Sequence, residues 1–97
     1  MSDLRVVATI PTDPAAAEAV RAGLADLRAA TLAEEGCLGY EVYESGAQPG
    51  VYVTVESWRN QGDLDAHLTT PHVARAFETL GSALTGEVEI HPLTPLG

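Results

Sequence analysis

The chain has no lysine, and it has one cysteine, one tryptophan, one phenylalanine and no apolar run long enough to cross a membrane or to form a signal-peptide core. Its five basic residues, all arginine, face fourteen acids, for a net charge of −9. Such a balance repels phosphate backbones and anionic lipid, so neither nucleic acid nor membrane is an expected partner. The lone Cys37 excludes an internal disulfide framework and a cysteine-based zinc motif, and reads as a small buried apolar residue. There is no glycine-rich phosphate loop, and the three histidines follow no recognised metal spacing. The expectation is a cytoplasmic protein with no metal and no cofactor.

What is present suffices for one domain over residues 1–97. A chain of 97 residues buries roughly 60 to 65% of its unfolded surface. "LRVVATI" (4–10) is β-branched and reads as a strand. "PTDP" closes it, with Asp13 and Pro14 as helix-start residues. Ala16, Val20, Leu24, Leu27 and Thr31 then recur at helical spacing, and Gly36 is the expected terminator. "CLGYEVYES" and "VYVTVESW" flank "GAQPG" as a hairpin. "RNQGDLDAHL" follows as a short helix, and Thr70 and Pro71 restart a helix striped by Val73, Phe77, Leu80 and Leu84. "GEVEIHPL" is the last strand. The order β-α-β-β-α-β defines an α+β, ferredoxin-like fold: a four-stranded antiparallel sheet with helices on one face.

Strand residues alternate sides, so Tyr52, Thr54, Glu56 and Trp58 share one face of the third strand and Val51, Val53, Val55 and Ser57 the other. Both faces carry large or apolar groups, and helices cover only one. A second copy against the open face, giving a barrel-like homodimer, is the expected cover.

"AEEGCLGYEVYES", "VYVTVESW" and "DLDAHLTTPHVARAF" together resemble the antibiotic biosynthesis monooxygenase family of dimeric α+β barrels. The matching pieces are Glu35-Gly36-Cys37-Leu38 with Tyr40, Glu56-x-Trp58, Asp65-x-His67, and Pro71-His72. The resemblance implies a pocket between helices and sheet that binds a flat aromatic or polyketide-like molecule. It also implies cofactor-independent oxidation of a quinol, naphthol or anthrone to a quinone by O₂. The related haem-degrading branch has an axial histidine on the second helix and an asparagine early in strand one. This chain has Phe77 and "VVA" at those places, which disfavours haem.

Within that frame His67 is the candidate base, because imidazole titrates near neutrality; its competing reading is a surface pair with Asp63. Trp58 is a pocket wall with an indole N–H for a substrate oxygen. Glu56 would orient His67 or accept a substrate hydroxyl, unless it pairs with Arg59 or Arg5 at an interface. Tyr40, Tyr52, Phe77 and His72 are candidate substrate contacts, although the first-turn position of His72 suggests that it faces solvent. The alternative function is a non-catalytic binder or auxiliary protein on the same fold, or a polyketide cyclase or isomerase.

Overall fold

A computed structural model of the chain describes residues 3–97. The β-branched run at the start forms β1 (Leu4–Pro11), and Asp13 then accepts a hydrogen bond from the Ala15 N–H, opening a 3₁₀ turn at Pro14–Ala16. That turn runs into α1 (Ala17–Leu32), whose buried residues Val20, Leu24, Leu27 and Thr31 are the expected stripe. The helix ends at Leu32, capped at Ala33, so Gly36 is not its terminator. Gly36 has another use: a side-chain carbon there would collide with Asp63, so its lack of one lets the chain after α1 lie against the short helix that holds Asp63.

β2 (Cys37–Glu44) and β3 (Val51–Trp58) make the hairpin. Gly50 ends its loop at φ +85°, where the Thr12 carbonyl leaves no room for a side chain. Asn60 caps α2 (Gln61–His67) through the Asp63 N–H, and Thr70 caps α3 (Pro71–Leu80) through the Val73 N–H. The ladder of β4 is shorter than the apolar pattern suggested, only Glu89–Pro92. All pairs are antiparallel, in the order β2-β3-β1-β4, and the fold is α+β and ferredoxin-like.

Register settles which face is which. Val6 and Tyr40 flank Glu56, Ala8 and Val42 flank Thr54, and Ile10 and Glu44 flank Tyr52. Val6, Ala8, Ile10, Tyr40, Tyr52, Thr54, Glu56 and Trp58 are all buried on the helix side. The opposite face leaves Tyr43 56% and Val55 41% exposed, with Val7, Val51 and Val53 half-buried beside them. No described helix is long and apolar enough to cross a membrane.

Candidate functional site

α2 is only seven residues long, yet it places Leu64 and His67 on one inward stripe three residues apart. His67 is 4% exposed. Its partner is not Asp63, which is held by Arg59 with Nε to Oδ2 at 2.7 Å; the surface-pair reading of His67 is therefore corrected. His67 Nδ1 instead meets Glu34 Oε2 at 2.6 Å. The same oxygen is 2.7 Å from His72 Nε2, so His72 turns back to the protein instead of facing solvent. A carboxylate oxygen only accepts, so each imidazole donates to it; in the neutral His67 ring Nδ1 then carries the proton and Nε2 keeps the lone pair.

The His67 ring lies against Trp58, with centroids 4.6 Å apart, and is 6.0 Å from Tyr40. Trp58 is fully buried, and its indole N–H donates to Glu56 Oε1 at 2.8 Å. That N–H is therefore not free for a substrate oxygen, and Trp58 stands behind His67 instead of on the cavity wall. Glu56 is 5% exposed, and its other oxygen accepts from the Thr54 hydroxyl at 2.6 Å. No arginine of the chain reaches it among the described residues; Arg59 pairs with Asp63 and Glu35. Neutral donors built into the same strand face satisfy both oxygens, a requirement for a carboxylate in this setting.

A mostly apolar cavity of about 50 Å³ opens beside these groups. Glu56, His67, Tyr40 and Thr54 are on its wall, and half-exposed Leu68 and Phe77 stand among the residues around it. Phe77 is 44% exposed, so it belongs to the rim and not to the core stripe of α3. The Tyr40 phenol is pushed well above its usual range, first by burial and then by the Glu56 charge. It stays protonated at neutral pH and is no base. Burial likewise raises the Cys37 thiol, which makes it a poor nucleophile.

Two expected contacts fall elsewhere. Tyr52 points into a separate cleft with Arg21, Arg28 and Glu44, at the far end of the hairpin from Trp58. His72 is outside the cavity wall; it reaches the site through Glu34, with its ring 6.0 Å from that of His67. Glu34 itself was not singled out in the sequence. Its only local signal is its place in "AEEG" ahead of β2, within the stretch that carries the family resemblance.

The fold and site define a small α+β domain with a carboxylate-held imidazole beside an apolar cavity. The family model described as antibiotic biosynthesis monooxygenase matches residues 3–79. The chain is 37% identical over 95 residues to Mycobacterium tuberculosis protein Rv0793, named as a candidate monooxygenase, covering 98% of this chain and 93% of that protein. The solved structure of Rv0793 superposes with a TM-score of 0.86 at 35% identity, covering 99% of this chain and 97% of that one. PA3566 of Pseudomonas aeruginosa gives a TM-score of 0.87 at 31% identity, covering 100% and 97%. A conserved protein of Methanosarcina mazei Go1 gives 0.86 at 33% identity, covering 94% and 90%. The chain belongs to the antibiotic biosynthesis monooxygenase family.

Proposed function

We propose that the protein is a cofactor-independent monooxygenase that oxidises an electron-rich phenol, of the quinol, naphthol or anthrone class, to a quinone. The observation carrying this reading is His67, held by Glu34, on the wall of an apolar cavity. Glu34 fixes the tautomer, and His67 Nε2 takes the acidic proton of the substrate. The resulting carbanion-like anion passes one electron to O₂, and the radical pair joins at carbon as a peroxide. Loss of water then leaves the carbonyl. For an anthrone, or a naphthol in its keto form, a CH₂ carbon and O₂ become C=O and H₂O, with all four electrons supplied by the substrate; a quinol gives up two electrons and two protons, and O₂ leaves as H₂O₂.

In this reading Glu56 is a positioning residue: it locks Thr54 and Trp58, and Trp58 backs the His67 ring. Tyr40 contributes wall, and Phe77 with Leu68 forms the mouth. A cavity of about 50 Å³ holds a few water molecules or O₂. An aromatic substrate therefore enters by displacing the half-exposed Phe77 and Leu68 side chains.

The test is oxygen uptake by purified, chelator-dialysed protein against a panel of hydroquinones, naphthols and anthrones. We expect one O₂ consumed per quinone formed, with no loss of rate on chelation. No uptake across the panel favours the binder reading, and a rate restored only by added iron or flavin overturns the cofactor-free one.

The second part of the reading is a homodimer formed through the open sheet face. Tyr43, Val55 and the half-buried valines beside them offer an apolar surface that a matching copy would cover. Sedimentation at micromolar concentration should give twice the chain mass. A charge on that face, as in Val55→Asp, should shift the protein to monomer with its far-ultraviolet spectrum unchanged. A wild-type monomer at that concentration would exclude the barrel.

A further inference from the structure

Glu34 accepts from two imidazoles at one oxygen, and the second of them, His72, has no part in the chemistry above. One ligand-capable atom from each of Glu34, His67 and His72 lies within 4.8 Å of the others. Three separate segments supply them: the α1–β2 connection, the last residue of α2 and the first turn of α3. Arg59, the nearby cation, is taken by Asp63 and Glu35, leaving the carboxylate to the histidines among the described residues. The side chains of Glu34, His67 and His72 are 17%, 5% and 21% exposed. The cluster is therefore sheltered on the His67 side and reachable from solvent on the His72 side.

Two imidazoles and one carboxylate are the donor set of late first-row divalent ions, with positions left open for water. The present contacts are those of N–H hydrogen bonds, 2.6 and 2.7 Å. Replacing the two protons by one ion, at metal–ligand bonds of about 2.0 to 2.2 Å, needs donor separations of roughly 3.0 to 3.4 Å. Those N···O contacts must open by well under 1 Å, within the reach of side-chain rotation. The net charge of −9 adds a mild attraction for cations.

We propose that Glu34, His67 and His72 form a binding site for a late first-row divalent transition-metal ion, and that filling it switches off the base at His67. An ion on Nδ1 displaces the proton held there, and the neutral ring then carries its proton on Nε2. Nε2, the nitrogen read above as the base, becomes a donor and no longer accepts a proton from substrate. The binding half stands on the donor geometry alone; the inhibitory half rests on the reading of His67 as the base.

The experiment titrates ZnCl₂ into the chelator-stripped full chain by calorimetry, and CoCl₂ by visible absorption. One ion per chain is expected. His72→Ala, His72→Gln and Glu34→Gln, each checked for native circular dichroism, should weaken zinc binding more than about 100-fold, beyond the 10- to 100-fold typical of losing an outer partner. His91→Ala, near the exposed Glu89, should leave it unchanged. The site is overturned by the absence of saturable binding up to millimolar zinc, by binding that survives His72→Ala, or by binding that is lost in His91→Ala. Where the stripped protein turns over, oxygen uptake should fall in step with zinc occupancy and return with chelator. Full occupancy with undiminished uptake overturns the inhibitory half, and zinc binding by a protein with no turnover leaves the site standing while the oxygenase reading fails.

Discussion

His67→Ala should lower the rate of oxygen uptake by roughly 10² to 10⁴, the usual contribution of a positioned general base. The loss should appear in kcat, because proton removal belongs to the chemical step and not to substrate docking. His67→Gln is the sharper variant. A glutamine amide can still donate to Glu34, so the buried carboxylate keeps a partner on that side, yet it has no basic lone pair. Both variants should therefore be slow, with His67→Gln the more stable of the two. Glu34→Gln should also be slow, because an amide no longer dictates which imidazole nitrogen holds the proton. The measurement is single-turnover quinone formation, with circular dichroism and sedimentation to confirm the fold and assembly. A His67→Gln protein as fast as wild type would remove His67 from the chemistry and leave it a packing residue behind Tyr40.

Trp58→Ala should cost about 3 to 5 kcal/mol, the range for deleting a large buried aromatic. A chain of this size has only about 5 to 15 kcal/mol of total stability, so the loss is a large share of it and should lower the urea midpoint markedly. Trp58→Phe separates packing from hydrogen bonding. Most of the ring surface remains, but Glu56 Oε1 loses its donor and keeps only what Thr54 gives the other oxygen. A loss of about 1 to 3 kcal/mol is expected for that orphaned acceptor. Combining Trp58→Phe with Glu56→Leu should be less harmful than the sum of the two single changes, because the donor and the acceptor leave together. Urea unfolding followed by circular dichroism gives all four stabilities. Full additivity would show that the 2.8 Å contact carries no energy.

The raised Tyr40 phenol adds a stability effect with a definite sign. Its neutral form is favoured in the folded chain, so its contribution is complete below pH about 10, where an unfolded tyrosine is also neutral. Above that, only the unfolded state gives up the proton readily. Stability falls as pH rises, and the cause is burial first and the Glu56 charge second.

Much of the fold was legible in "LRVVATI", "VYVTVESW" and the stripe of Val20, Leu24, Leu27 and Thr31. Period-two and period-3.6 patterns are imposed locally, by the geometry of the backbone that carries them. The caps at Thr70 and Pro71 were readable for the same reason, since a cap satisfies amides two or three residues away. The grouping of Tyr52, Thr54, Glu56 and Trp58 on one face followed from alternation, but alternation did not say which face the helices cover. The burial of Tyr40, Glu56 and Trp58 against the helices answered that. Phe77 shows the limit of the pattern: it has helical spacing with Val73 and Leu80 yet lies 44% exposed at the cavity rim.

The sequence by itself determined the strand–helix order, the inward stripe holding Leu64 and His67, and the strand face shared by Glu56 and Trp58, because each depends on neighbours within a few residues. Only the tertiary structure decided what those side chains do. Glu34 is 33 residues from His67 and 38 from His72. No local rule pairs them, and nearness in sequence favoured Asp63 as the partner of His67. Arg59 takes Asp63 at a spacing of four residues, and Gly36 lets the α1–β2 connection press against α2. A carboxylate from the α1–β2 connection and two imidazoles from α2 and α3 meet because the helices pack on the same sheet, and packing is a property of the whole chain.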